Sequence, residues 1–300
     1  MNNKKILIVY PHNFLQGLHG TNMNIYQLTK IFKELNYDVD LFAYEGFTPD
    51  SDFSNFKEQN KDRLVNKLYV YDFRKSKKMN KTSIINKIKN KIKSKTEKHL
   101  QDWTNYEIQN YFDKVTSDNK YDDVIITYSY LANLIVKTKN KISYKKIYYM
   151  IDSMFLQQYS WDKKINKNLT LGKLMDEELE RLKYFDKFLC VSNDEKIFYE
   201  KLLEKKMHFI PHFSDNKGYE LKPLHKRRWD VFFIGFDNPF NVEGLNWFLD
   251  EVYPYLDKNL KILLVGTSTN KINNSYSNVD IIQYAPSLDE IFENVKIEKE

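Results

Sequence analysis

The 300-residue sequence contains a single cysteine, Cys190. One thiol excludes an intrachain disulfide and a thiolate zinc cluster, and it points to a reducing compartment. No stretch approaches the roughly 18 apolar residues of a membrane-crossing helix. The apolar opening from Ile6 to Tyr10 is shorter than the core of a secretory leader and runs directly into Pro11. The expected location is therefore cytoplasmic, with room for peripheral contact at the inner face of a membrane. The chain also lacks an internal repeat, a G-x-G-x-x-G turn, a phosphate-binding G-x-x-x-x-G-K-S/T loop and a G-x-S-x-G elbow.

Charge of one sign is scarce except in one place. The 47 Lys and Arg against 41 Asp and Glu leave a net charge of +6. Residues 74–98 alone hold eleven basic residues and one acid, Glu97, so the rest of the chain is mildly acidic, at −4. That distribution speaks against a nucleic-acid partner, which favours a broad basic surface. Drawn as a helix, the basic segment gathers Ile84, Ile85, Ile88 and Ile92 on one stripe, with Lys87, Lys89, Lys91 and Lys93 beside it. Such a stripe can lie on anionic lipid through Ile84, Lys87, Ile88, Lys91 and Ile92, or dock on the protein's own core with a solvated lysine face.

What the sequence has in quantity is short apolar runs alternating with helical patterns. Strands are expected at 5–10, 37–44, 68–73, 122–129, 145–152, 186–192, 207–213, 229–236, 260–267 and 279–285. Their continuous apolar character suits strands covered on both faces. Helical periodicity falls at 23–36, 175–184, 194–203 and 242–255, and a last helix is expected at 287–294. The alternation predicts an α/β fold of two Rossmann-like, doubly wound domains. The first domain is placed at 1–213, a polar linker at 214–228, and a short or truncated second domain at 229–300, with a fourth strand expected to start near Lys296.

Candidate chemistry sits where expected strands end. The loop from Pro11 to Thr21 carries Gly17 and Gly20 ahead of a helix; it reads either as an anion site or as an ordinary loop with Thr21 as N-cap. Asp152 and Ser153 close the fifth strand. A carboxylate there assists a hydroxyl or binds sugar, or else the pair simply caps the next helix. His208 and His212 share a strand face, but no third ligand is spaced to complete a metal site, so none is expected.

Five stretches taken in order resemble the group 1, family 4-like glycosyltransferases of the GT-B fold. They are "KKILIVYPHNFLQGLHGTNMNIYQLTKIFKELNYDVDLFA", "IYYMIDSMFLQQYS", "MDEELERLKYFDKFLCVSNDEKIFYEKL", "HFIPHFSD", and "WDVFFIGFDNPFNVEGLNWFLDEVYPYL" with "LKILLVGT". The resemblance implies transfer of a sugar from a nucleoside-diphosphate sugar to a surface-glycan or lipid-linked acceptor, retaining and without a bound metal or other cofactor. It also implies site roles. Asp152 is the catalytic candidate and, with Ser153, would face the reacting sugar or acceptor; Gly17, Gly20 and Thr21 would face the sugar or diphosphate, and His212 the cleft near the hinge. Gly235, Phe236, Asn238 and Asn241 would approach the diphosphate, Gly266 and Thr267 the nucleoside, and Tyr284 and Pro286 the base. The alternative is a non-catalytic binding partner or one part of a split transferase. The loop Asp237 to Asn241 offers no cation of its own, and no glycine-rich loop with Lys and Glu follows before Glu300. A diphosphate leaving group is thus expected to lack its charge partner.

Overall fold

The computed structural model describes residues 3–17, 20–74, 99–162, 169–212, 222–272, 276–285 and 289–295. The chain divides into two compact units, Met1–Phe213 and Ser214–Glu300.

The first unit is built on seven parallel strands: β1 (Lys4–Val9), β2 (Tyr37–Glu45), β3 (Lys67–Asp72), β4 (Asp123–Ile126), β5 (Lys145–Met150), β6 (Lys187–Cys190) and β7 (Met207–Phe209). Their order is β3-β2-β1-β4-β5-β6-β7. The inner strands are the apolar runs of the sequence: Ile6 to Val9 and Asp123 to Ile126 are buried without a break. Edge strands are less so, with β3 half-buried and His208 and Phe209 of β7 exposed. Continuous burial is what helices on both sheet faces require. Those described here are α1 (Gly20–Glu34), α2 (Phe56–Gln59), α3 (Tyr106–Asp118), α4 (Asn133–Val136), α5 (Met154–Asp162), α6 (Leu171–Leu182) and α7 (Asn193–Leu203). Chain direction across the sheet reverses between β1 and β4, where such folds open a crevice at the strand ends.

The second unit has the parallel strands β8 (Val231–Ile234), β9 (Ile262–Val265) and β10 (Val279–Ile282), in the order β10-β9-β8. α8 (Pro239–Trp247) follows β8. It widens into a π turn at Phe248–Val252 and closes in a tight turn at Tyr253–Tyr255, where Pro254 has no N–H to extend it. α9 (Asp289–Asn294) leads back to the sheet, and Val295 pairs in parallel with Trp229 at the head of β8. The fourth strand expected from Lys296 lies outside the described residues.

All ten expected strands are present; β1 and β3 are shifted by one residue, β2 runs one residue longer, and the other seven are shorter than the apolar runs suggest. At 122–129 only Asp123–Ile126 is strand, because Thr127 turns its hydroxyl to the Val9 carbonyl (3.0 Å) and Ser129–Leu131 coils into a 3-10 turn. The lipid-facing candidates Ile84, Lys87, Ile88, Lys91 and Ile92 lie outside the described residues, as does Pro286. Among the described residues no helix is long and apolar enough to cross a membrane.

Candidate functional site

In the first unit the candidates gather at the carboxyl ends of β1, β4, β5 and β7. Beyond β1, the buried Tyr10 donates its hydroxyl to Asn22 Oδ1 (2.7 Å), and beyond β4 the Tyr128 ring lies against that of Tyr10, with centroids 6.0 Å apart. Burial pushes both phenols up, so they act as fixed donors rather than as acids. Thr21 lies inside the first turn of α1 and is not its cap. Gly17 ends a short 3-10 turn with φ of 63°, a left-handed conformation that glycine adopts freely, while Gly20 opens α1 with open space around it.

Beyond β5, the two readings of Asp152 and Ser153 separate. The first amides of α5 are not capped by either residue. Glu178, reaching from α6, accepts the Phe155 N–H at 2.7 Å. Ser153 is buried and turned elsewhere: its N–H (2.8 Å) and hydroxyl (2.5 Å) both donate to Glu195 Oε1 at the start of α7. Asp152 is left with no hydrogen bond among the described residues. It reaches solvent, but from crowded surroundings. Burial and then repulsion from Glu195 raise its carboxyl above the ordinary range, and His212 works against them. His212 in turn is tied to Asn24 of α1, with Nδ1 2.6 Å from the amide oxygen. With the Asn oxygen as acceptor, Nδ1 is the donor of that bond.

Two acids here went unread in the sequence. Glu195 follows Ser192 by three positions, the spacing of a capping box. The Ser192 half forms, its Oγ accepting from the Glu195 amide at 3.3 Å, but the Glu195 carboxylate is diverted to Ser153. Glu178 gives no local signal, since it caps a helix 23 residues away. It is wholly buried, and burial pushes its carboxyl up to about 7 against the pull of the Phe155 amide.

In the second unit, Gly235 follows β8 and Gly266 follows β9. The two backbones touch: a Cβ on Gly266 would stand 2.2 Å from the Gly235 carbonyl oxygen. The space beside Gly235 is filled by Phe233 and Ser268, whose hydroxyl donates to the Gly235 carbonyl (2.9 Å). Asn238 caps α8 by accepting the Asn241 amide at 2.8 Å, and Pro239 fills the first helical position. Asn241 donates to the Phe236 carbonyl (3.0 Å), and Thr267 accepts the Asp237 amide (2.8 Å). Phe236 and Tyr284 are exposed. The candidates Gly235, Phe236, Asn238, Asn241, Gly266 and Thr267 therefore form one connected loop pair, with Tyr284 beyond β10 at the same sheet edge.

The expectation that this mouth lacks a cation is corrected by Lys271. It sits in the turn Thr267–Lys271 and brings its Nζ to 3.0 Å from Asp237 Oδ1. No sequence spacing announces it, because Asp237 and Lys271 belong to different loops. Among the described residues no group of three or more His, Cys, Asp or Glu is arranged to hold a metal ion.

No protein-family model matches this sequence, and no curated protein is significantly similar to it. Solved structures do match. The sucrose-phosphate synthase tll1590 of Thermosynechococcus elongatus superimposes with a TM-score of 0.57 at 12% identity, over 97% of this chain and 72% of that one. The starch synthase IV catalytic domain of Arabidopsis thaliana, bound to ADP and acarbose, gives 0.53 at 10% identity over 98% and 76%. The lipopolysaccharide outer core galactosyltransferase WaaB gives 0.52 at 12% over 97% and 72%. The fold is GT-B. At these identities the likeness speaks for the architecture, with its seven-stranded and three-stranded parallel sheets, and not for a substrate.

Proposed function

We propose that the protein is a glycosyltransferase that moves a sugar from a nucleoside diphosphate to a surface-glycan or lipid-linked acceptor without a metal ion. The observation that carries the reading is the state of Asp152. It is a carboxylate at a strand end, relieved of capping by Glu178 and left without a hydrogen bond among the described residues, beside Glu195 and His212. A carboxylate kept crowded and unpaired costs stability, and such groups concentrate where chemistry is done.

In the reaction, the bond from the sugar's anomeric carbon to the diphosphate oxygen breaks, and its electron pair leaves with the nucleoside diphosphate. The acceptor hydroxyl bonds to that carbon and gives up its proton. Asp152 is the first unit's group suited to orient that hydroxyl and draw off the proton, its raised carboxyl being a stronger base than an ordinary Asp. On the donor side, Lys271 and the positive end of the α8 dipole would offset the departing diphosphate's charge, the task a metal ion performs elsewhere. The starch synthase fold relative with its bound ADP is consistent with a nucleoside diphosphate in such a unit.

The test is a thermal shift with UDP, GDP, ADP and dTDP at millimolar concentration, since a ligand of the folded state raises the melting temperature. At least one is expected to do so. No shift with any of the four would overturn the reading.

A further inference from the structure

Away from Asp152, the first unit holds a second cleft, of about 290 Å³, beside the amino end of α3. We propose that it is an accessory saccharide subsite that holds a distal sugar of the acceptor glycan. The inference deepens the transfer reading and rests on it for the identity of the chain that is held.

The lining has the chemistry of a neutral polyol site. Tyr106 is 74% exposed at the rim, although aromatic rings of this size usually bury themselves. An open ring face is a platform for the C–H face of a pyranose. Around it stand polar groups with unused bonding capacity. Asn110 and Lys139 make no hydrogen bond among the described residues. Asn105 spends its oxygen on the Ile108 amide (2.8 Å), which leaves its NH₂ group to the cleft. Asp113 accepts from Gln109 (3.0 Å) and Thr138 (2.6 Å) on Oδ1 alone, and Oδ2 remains. Gln109 is buried in the wall, donating to Asp113 and to the Leu134 carbonyl, and its own carbonyl oxygen has no donor. Donors and acceptors are interleaved, as a set of vicinal hydroxyls requires.

An anion fits this cleft less well. The amino end of α3 is already capped by Asn105 and screened by Glu107 in its first turn. Of the two lysines in the lining, Lys137 is committed to Asp102 at 2.9 Å, and Lys139 shares the cleft with the Asp113 carboxylate. The volume lies at the lower end of small-molecule clefts, about 300 Å³ and upward, which suits a sugar unit better than a nucleotide.

The cleft is also joined to the candidate active site. Thr104 and Asn105 follow directly on Trp103, whose ring meets that of Tyr128 edge-on at a centroid distance of 5.6 Å. Tyr128 in turn lies against Tyr10, with ring centroids 6.0 Å apart.

Saturation-transfer NMR and calorimetry on the full chain with maltohexaose, chitohexaose and a β-1,4-galactohexaose test the inference. At least one is expected to bind. Tyr106→Ala should weaken that binding about fivefold through loss of the ring platform, and Tyr106→Phe should retain it. Because Tyr106 is exposed, the alanine variant should melt with the wild type. Absence of binding by all three, or equal binding by wild type and Tyr106→Ala, overturns the inference, as does competition by inorganic phosphate at low millimolar concentration. A nucleotide shift without saccharide binding sinks this inference alone. Saccharide binding that depends on Tyr106, without a nucleotide shift, leaves the subsite standing and sinks the transfer reading.

Discussion

Gly235 and Gly266 meet back to back, so that a Cβ on Gly266 would lie 2.2 Å from the Gly235 carbonyl oxygen. Gly266 also has a φ of 104°, which side-chain-bearing residues rarely adopt. Gly266→Ala is therefore expected to destabilise the second unit by at least about 2 kcal/mol, measured by denaturant unfolding. Gly244→Ala is the control. It sits inside α8 with open space around it, and the same change there should stabilise by roughly 0.5–1 kcal/mol. Equal effects at the two positions would show that crowding is not what selects glycine after β9.

Asp152→Asn should reduce turnover by at least about a hundredfold, given what a positioned acid–base group contributes. The melting temperature should hold or rise slightly, since the carboxylate has no hydrogen bond to lose and is crowded as a charge. Retained turnover would remove Asp152 from the chemistry. Glu195→Gln should move the acid limb of the pH–rate profile to lower pH, because Glu195 is one cause of the raised Asp152 carboxyl. An unmoved limb would separate the two acids.

Lys271 and Asp237 form an exposed ion pair, of the kind worth little to stability. A diphosphate can compete with Asp237 for the same cation. Asp237→Asn is expected to tighten nucleoside diphosphate binding severalfold and Lys271→Ala to weaken it about tenfold, both read by calorimetry at low salt. Identical affinities in the two variants and the wild type would exclude Lys271 as the phosphate's partner.

Glu178 makes the stability of the first unit depend on pH in a defined direction. Its carboxyl is raised from 4.5 to about 7 on folding, so between those values the folded state holds the proton that the unfolded state has released. Stability at this site falls as pH rises from about 4.5 to 7, by roughly 3 kcal/mol in all, and the full penalty is present above that range. Glu178→Gln keeps an acceptor for the Phe155 amide and cannot titrate. It should flatten this slope in melting curves taken from pH 5 to 8, and an unchanged slope would place the titration elsewhere.

The architecture was legible in the sequence because it is written in local pattern. Unbroken short apolar runs such as Ile6 to Val9 suit strands with both faces covered, and turn residues such as Asn238 and Pro239 mark a helix start. Strand ends were overdrawn wherever apolar residues continue past the last ladder bond, as Tyr128 does beyond β4. The candidate site was legible only as a set of strand ends. Its working contacts join residues far apart: Glu178 to Phe155, Glu195 to Ser153, His212 to Asn24, Lys271 to Asp237. None follows from periodicity or spacing. Hence the choice between site and cap at Asp152 and Ser153 stayed open until Glu178 was seen on the α5 amide, and the loop Asp237 to Asn241, which has no cation of its own, meets one from Lys271.

Cys190 ends β6 wholly buried, its sulfur 3.2 Å from the Ser192 carbonyl and its thiol pushed up to about 11 by that burial. A thiol so placed is almost entirely protonated at neutral pH and out of reach of reagents. Since it is the chain's single cysteine, the wild-type protein is a blank background for thiol labelling. One cysteine introduced at an exposed position in each unit would carry a fluorophore pair with no native residue removed first. Energy transfer between the two would then report, in solution, how the units respond when a nucleotide or a saccharide arrives.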